Sequence, residues 1–148
     1  MGERRRAREI VVQSLYEMAQ SGTDAERALQ ANLERRGGPG AVRAYAERLL
    51  HEVVARRGEV AAKLVGALQH WSLERVGLVE RCVLEVGVTE ILYFPDVPVA
   101  VAIHEAVEIA RKFSTDESGG FVNGVLDRIA RDAGQAPGAR AGLLEAEP

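Results

Sequence analysis

Apolar positions recur at helical spacing almost from the start of the chain. Between residues 4 and 20, Ala7, Ile10, Val11, Leu15 and Met18 fall at i, i+3, i+4 and i+7 intervals, with Ser14 on the same stripe. That spacing predicts one buried face of an amphipathic helix. Arg5, Glu9, Gln13 and Tyr16 then project from the opposite side, with Arg6 nearby. A second helix is predicted over 24–36 with Ala28, Leu29 and Leu33 inward, and Gly37-Gly38-Pro39-Gly40 stops it. A third, over 41–56, buries Tyr45, Leu49, Leu50 and Val53; a fourth, over 59–70, carries Val60, Leu64 and Leu68.

Trp71-Ser72 reads as a joint between two halves. Beyond it, the stretch 79–93 is apolar on two faces, Val79, Val83 and Val86 on one and Leu84, Val88 and Ile91 on the other. A helix of that kind is usually the central member of a bundle. Pro95-Asp96-Val97-Pro98 breaks the chain, and Pro98 suits the first turn of the next helix, which carries Ala102, Ile103, Ala106, Val107, Ala110 and Phe113. Ser114 with Glu117 has capping-box spacing for a last helix, whose buried stripe is Val122, Val125, Leu126 and Ile129. The pattern predicts an all-α fold of about seven helices and no sheet. It divides residues 1–134 into bundles of about 1–70 and 71–134, with an Ala/Gly/Pro-rich tail over 135–148 expected to be disordered.

Composition changes this picture little. The chain has 148 residues, 47% hydrophobic and 28% charged, which suits a folded domain and excludes disorder throughout. A net charge of -3 excludes a protein that coats nucleic acid by bulk positive charge, so any anion-binding surface must be local. One such place exists: Arg4, Arg5, Arg6 and Arg8 against Glu3 give +3 over the first eight residues. The single cysteine, Cys82, excludes an internal disulfide, and no apolar run approaches the length of a membrane span. The N-terminus lacks the apolar segment of a secretory signal, so a cytoplasmic protein without membrane association is expected.

Catalytic and metal-binding patterns are missing from the sequence. His51, His70 and His104 fall on separate predicted helices without metal-ligand spacing, and Gly119-Gly120 has no phosphate-loop sequel. Cys82 sits in the apolar middle of a helix, and Glu80 with Glu85 and Glu105 with Glu108 read as solvated faces. A binding protein is expected, with no enzyme activity, metal or cofactor.

The arginine cluster stands apart. Four guanidiniums within five residues repel one another by about a few tenths of a kcal/mol per pair and oppose the positive end of the helix dipole. A phosphate-bearing partner would offset both costs, since arginine pairs bidentately with phosphate and stacks on bases. The plainer reading is a solvated helix start. Tyr16 on the polar face of that helix, and Phe121 beside two glycines on the last one, add aromatic surfaces of the type on which single-stranded RNA bases stack. Each ring also reads as ordinary core.

Three blocks carry a family resemblance. Arg4-Arg5-Arg6-Ala7-Arg8-Glu9 followed by Gln13-Ser14-Leu15-Tyr16, the segment from Asp96 to Phe113, and Phe121-Val122-Asn123-Gly124-Val125-Leu126-Asp127 resemble, in order and spacing, the signatures of NusB transcription antitermination factors. The resemblance covers residues 4–133 and implies two small helical bundles. It implies binding of boxA RNA from ribosomal RNA leader transcripts together with NusE, a small-subunit ribosomal protein, within an RNA polymerase antitermination complex. Under it, the RNA contacts fall on Arg4, Arg5, Arg6, Arg8, Gln13, Tyr16, Gly120 and Phe121, and Glu80 is the candidate contact to NusE. Some relatives form homodimers. His104 stands where the family usually has asparagine, and Gly120 where lysine is common, which removes one phosphate contact.

Two other readings share the helical pattern. One is the NusB-like domain that precedes a methyltransferase in certain ribosomal RNA cytosine methylases; its methyl-donor sheet domain is not expected in a chain of this length. The other is a helical adaptor whose arginines are merely solvated.

Overall fold

A computed structural model describes residues 2–68 and 72–135. The described residues form seven α-helices, a single 3₁₀ turn at Leu73–Arg75, and no strand. The helices are α1 (Glu3–Ser21), α2 (Ala25–Arg36), α3 (Gly40–Ala55), α4 (Arg57–Ala67), α5 (Leu78–Tyr93), α6 (Val99–Phe113) and α7 (Asp116–Asp132). The predicted all-helical class is the observed one. Residues 136–148, where a disordered tail is expected from sequence, lie outside the described residues, as do His70 and Trp71.

The chain divides after Ala55 into two compact units, α1–α3 and α4–α7. Sequence spacing assigns the fourth helix to the first bundle. It packs instead on α5 and α7, with Val60 and Leu64 buried and Arg57 3.7 Å from Glu85 of α5.

In the first unit α1 packs on both α2 and α3. It ends at Gly22, whose φ of +72° is the left-handed conformation that glycine adopts without strain, and whose N–H bonds the Met18 carbonyl. Asp24 caps α2 by accepting from the Arg27 N–H at 3.0 Å. The α1–α2 seam is partly polar. Ser14 donates to the Ile10 carbonyl, and Asn32, fully buried, donates to Ser14 Oγ at 3.2 Å and to the Ala28 carbonyl.

In the second unit α5 is buried continuously from Cys82 to Ile91, as its two apolar faces predict. At Gly87 both α6 and α7 press on α5: a Cβ there would lie 2.7 Å from Leu126 Cδ1 and 3.5 Å from Ala106 Cβ. Glu85, expected on a solvated face, is instead 8% exposed. Burial is the largest influence on its carboxyl and raises it above the ordinary carboxylate range; Arg57 and Arg81 oppose this without cancelling it. Cys82 is likewise pushed up to about 12, by burial first and by Glu85 second, so it is an inert thiol.

The start of α7 also differs from expectation. Its cap is Thr115, whose hydroxyl accepts from the Ser118 N–H at 3.1 Å, rather than Ser114 with Glu117. Ser114 closes α6 and turns its hydroxyl to Glu80.

Candidate nucleic-acid interface

The four clustered arginines do not share one environment. Arg4 and Arg6 are exposed, Arg5 is half-buried, and Arg8 is only 3% exposed. At about 100° per residue Arg4 and Arg8 fall on the Val11–Leu15 stripe that faces α3, whereas Arg5 and Arg6 fall on the far side. Tyr45 of α3 receives that stripe. The guanidinium carbon of Arg4 sits 4.4 Å from its ring centroid and that of Arg8 sits 5.6 Å away. Arg8, which the sequence presents as one of four solvent-facing cations, is therefore a packed side chain on an aromatic face.

The opposite face of α1 is also less open than its polarity suggests. Glu9 is 4% exposed, and Arg36 of α2 places Nη2 2.6 Å from its Oε1. The same guanidinium donates through Nη1 to Gln13 Oε1 at 3.2 Å. Gln13 and Tyr16 are both half-buried, and the Tyr16 hydroxyl accepts from Gln20 Nε2 at 2.8 Å. One ring face and one amide edge are thus held in place, one turn apart, on the helix that carries Arg5 and Arg6.

In the second unit Gly120 is exposed and Phe121 half-buried on α7. A Cβ on Gly120 would meet no atom within 4 Å. Gly120 opens onto a groove of about 510 Å³ between α6 and α7, where His104, Arg111 and Asn123 also line the wall. The two residues that depart from the family pattern, His104 and Gly120, therefore share one groove. Its charges are mixed, since Arg111 pairs with Glu108 at 3.1 Å and Asp127 with Arg131 at 2.8 Å.

Glu80, half-buried in the first turn of α5, accepts hydrogen bonds from the Ser114 and Ser118 hydroxyls. Burial acts to raise its carboxyl, but those two hydroxyls and its own backbone N–H outweigh burial and hold it below the ordinary range. The carboxylate thereby joins the start of α5 to the first turn of α7, two residues before Gly120. Sequence reasoning sets Glu80 apart from the Phe121 region; Ser118 connects them. It also misses Arg36, and it buries Tyr45 on the α3 stripe without showing that α1 arginines lie over its ring.

A guanidinium-rich helix end, with held aromatic and amide groups beside it, thus stands on a frame that is helical among the described residues, the class of a small all-helical protein. The NusB family model matches residues 5–131. The transcription antitermination protein NusB of Methylacidiphilum infernorum is 38% identical over 136 residues, covering 91% of this chain and 95% of its own. The structure of T. maritima NusB superposes with a TM-score of 0.83 at 33% identity, covering 94% and 96% of the two chains. A chain in a crystal structure of the antitermination factors NusB and NusE in complex with dsRNA shares the fold, with a TM-score of 0.82 at 24% identity over 88% of this chain and 97% of that one. The protein belongs to the NusB family.

Proposed function

We propose that this protein is a transcription antitermination factor that binds boxA-type single-stranded RNA together with NusE, so that RNA polymerase resists termination on ribosomal RNA operons. The observation that carries this is the exposed guanidinium pair Arg4 and Arg6, with Arg5 between them, on the first turn of a helix in an otherwise acidic chain. The curated relatives are antitermination proteins, and the same fold occurs in a complex with NusE and RNA.

In this reading Arg4, Arg5 and Arg6 follow the phosphates, Tyr16 stacks a base, and Gln13 reads or positions a neighbouring one. Arg8 acts from within, by fixing the α1–Tyr45 contact. Phe121 supplies a second stacking surface, and Gly120 lets a nucleotide approach the α7 backbone. Glu80 orders the turn that carries them and offers its edge to NusE. The protein works by binding, without catalytic chemistry, in the cytoplasm.

Replacing Arg5 and Arg6 with alanine tests the assignment. For every phosphate deprived of its arginine, the plot of log K against log salt should become shallower by about 0.7 for single strands. An adaptor with merely solvated arginines would show unchanged affinity and slope.

A further inference from the structure

Arginine carries hydrogen-bond donors and no acceptor. Arg36 therefore dictates which way the Gln13 amide faces. Its Nη1 donates to Gln13 Oε1 at 3.2 Å, so the carbonyl end of the amide is turned to Arg36 and the Nε2 end faces away. The guanidinium is itself anchored, because its Nη2 lies 2.6 Å from Oε1 of Glu9, a residue only 4% exposed. Gln13 is half-buried, and its Nε2 has no hydrogen-bond partner among the described residues. One turn along α1 stands the Tyr16 ring, its hydroxyl accepting from Gln20 Nε2. An aromatic face and two amide N–H donors of fixed orientation thus lie side by side.

We propose that Arg36 is a positioning residue that fixes Gln13 as a donor, and that Gln13 thereby selects a keto base, uracil or guanine, over its amino counterpart, cytosine or adenine. The inference rests on the RNA-binding reading above. With Oε1 turned to Arg36, Gln13 does not make the two-point pairing with adenine N6 and N7 that a free amide makes. It meets uracil O4 or guanine O6 with an N–H. The amino group of cytosine or adenine sets donor against donor there and leaves both unsatisfied.

The test uses the full chain with NusE and fluorescein-labelled boxA-type RNAs, with affinity read by anisotropy. Each uracil is exchanged in turn for cytosine, and each guanine for adenine. At one position the wild type should favour the keto base about three- to tenfold, the worth of a single hydrogen bond. Gln13→Glu keeps an acceptor for Arg36 but makes the outward edge an acceptor too, so the preference there should reverse. Arg36→Lys keeps a counter-charge for Glu9 but gives up the forked head that also reaches Gln13, so the preference should fall towards one. A folded Arg36→Lys protein, checked by circular dichroism, with the wild-type ratio at that position overturns the positioning role of Arg36. A Gln13→Glu protein with the wild-type base profile at every position, alongside a Tyr16→Ala protein that loses affinity, overturns the selection and leaves the RNA reading intact. Should neither variant change RNA binding, the RNA reading and the selection fall together.

Discussion

Arg36 holds Glu9 at 2.6 Å and Gln13 at 3.2 Å with the two arms of one guanidinium. A residue at the end of α2 thus sets the geometry of a polar face on α1 whose sequence suggests an open, solvated surface. Removing it takes a counter-charge at 2.6 Å away from the buried Glu9 carboxylate. Arg36→Ala should destabilise the fold by about 3 kcal/mol in urea unfolding, near the lower bound for breaking a buried pair because Arg36 retains 25% side-chain exposure. Adding Glu9→Gln should recover part of the loss. A variant as stable as the wild type would mean that the pair contributes nothing.

Tyr16 is the base-stacking candidate whose hydroxyl is already occupied by Gln20. Tyr16→Ala should weaken boxA binding by about 1–3 kcal/mol, and Tyr16→Phe should bind nearly as the wild type, because stacking uses the ring face. A folded alanine variant with full affinity removes Tyr16 from the site.

Two glycines predict opposite outcomes. Gly120→Lys has open space for its side chain, gains up to about 1 kcal/mol of helix propensity, and restores a cation beside Phe121. It should tighten RNA binding and steepen its salt dependence without loss of stability. Gly87→Ala would press on Leu126 in the packed centre of the second unit, and should cost about 1–3 kcal/mol by thermal unfolding.

Glu80 and Glu85 should titrate in opposite senses. The Glu80 carboxyl is held below 4.5 in the fold, so its contribution is present above that pH and is lost as acid protonates it. Glu80→Gln should therefore lower stability at pH 7, with the difference from wild type closing in acid. The Glu85 carboxyl is raised above 4.5, so ionising it opposes folding and the fold loses stability as pH rises through its shifted value. Glu85→Gln should be more stable than wild type at pH 7 and equal to it in acid. Urea midpoints at pH 7 and below pH 4 check both.

The helices are legible because their apolar stripes repeat cleanly: Val60, Leu64 and Leu68, or Val122, Val125, Leu126 and Ile129, are all buried as their spacing requires. What periodicity cannot supply is the partner of each polar residue. Glu9, Asn32 and Glu85 read as surface by type, yet each is buried against a group distant in sequence. The division after Ala55 is hidden for a related reason: spacing shows which face of α4 is buried but not which helices bury it. Arg8 is nearly readable, since its angular position matches Val11 and Leu15. Its charge argues for solvent, and the Tyr45 ring, 37 residues away, gives its guanidinium an aromatic face inside.

Whether a basic helix end grips a specific RNA strand in company with NusE is tested most directly by one gel-shift comparison. The protein is titrated against boxA-type and scrambled RNA at near-physiological salt, with and without NusE. Modest binding alone, tighter binding with NusE, and a clear preference for boxA are the expected results. Equal affinity for both RNAs, unchanged by NusE, would contradict that RNA-binding role.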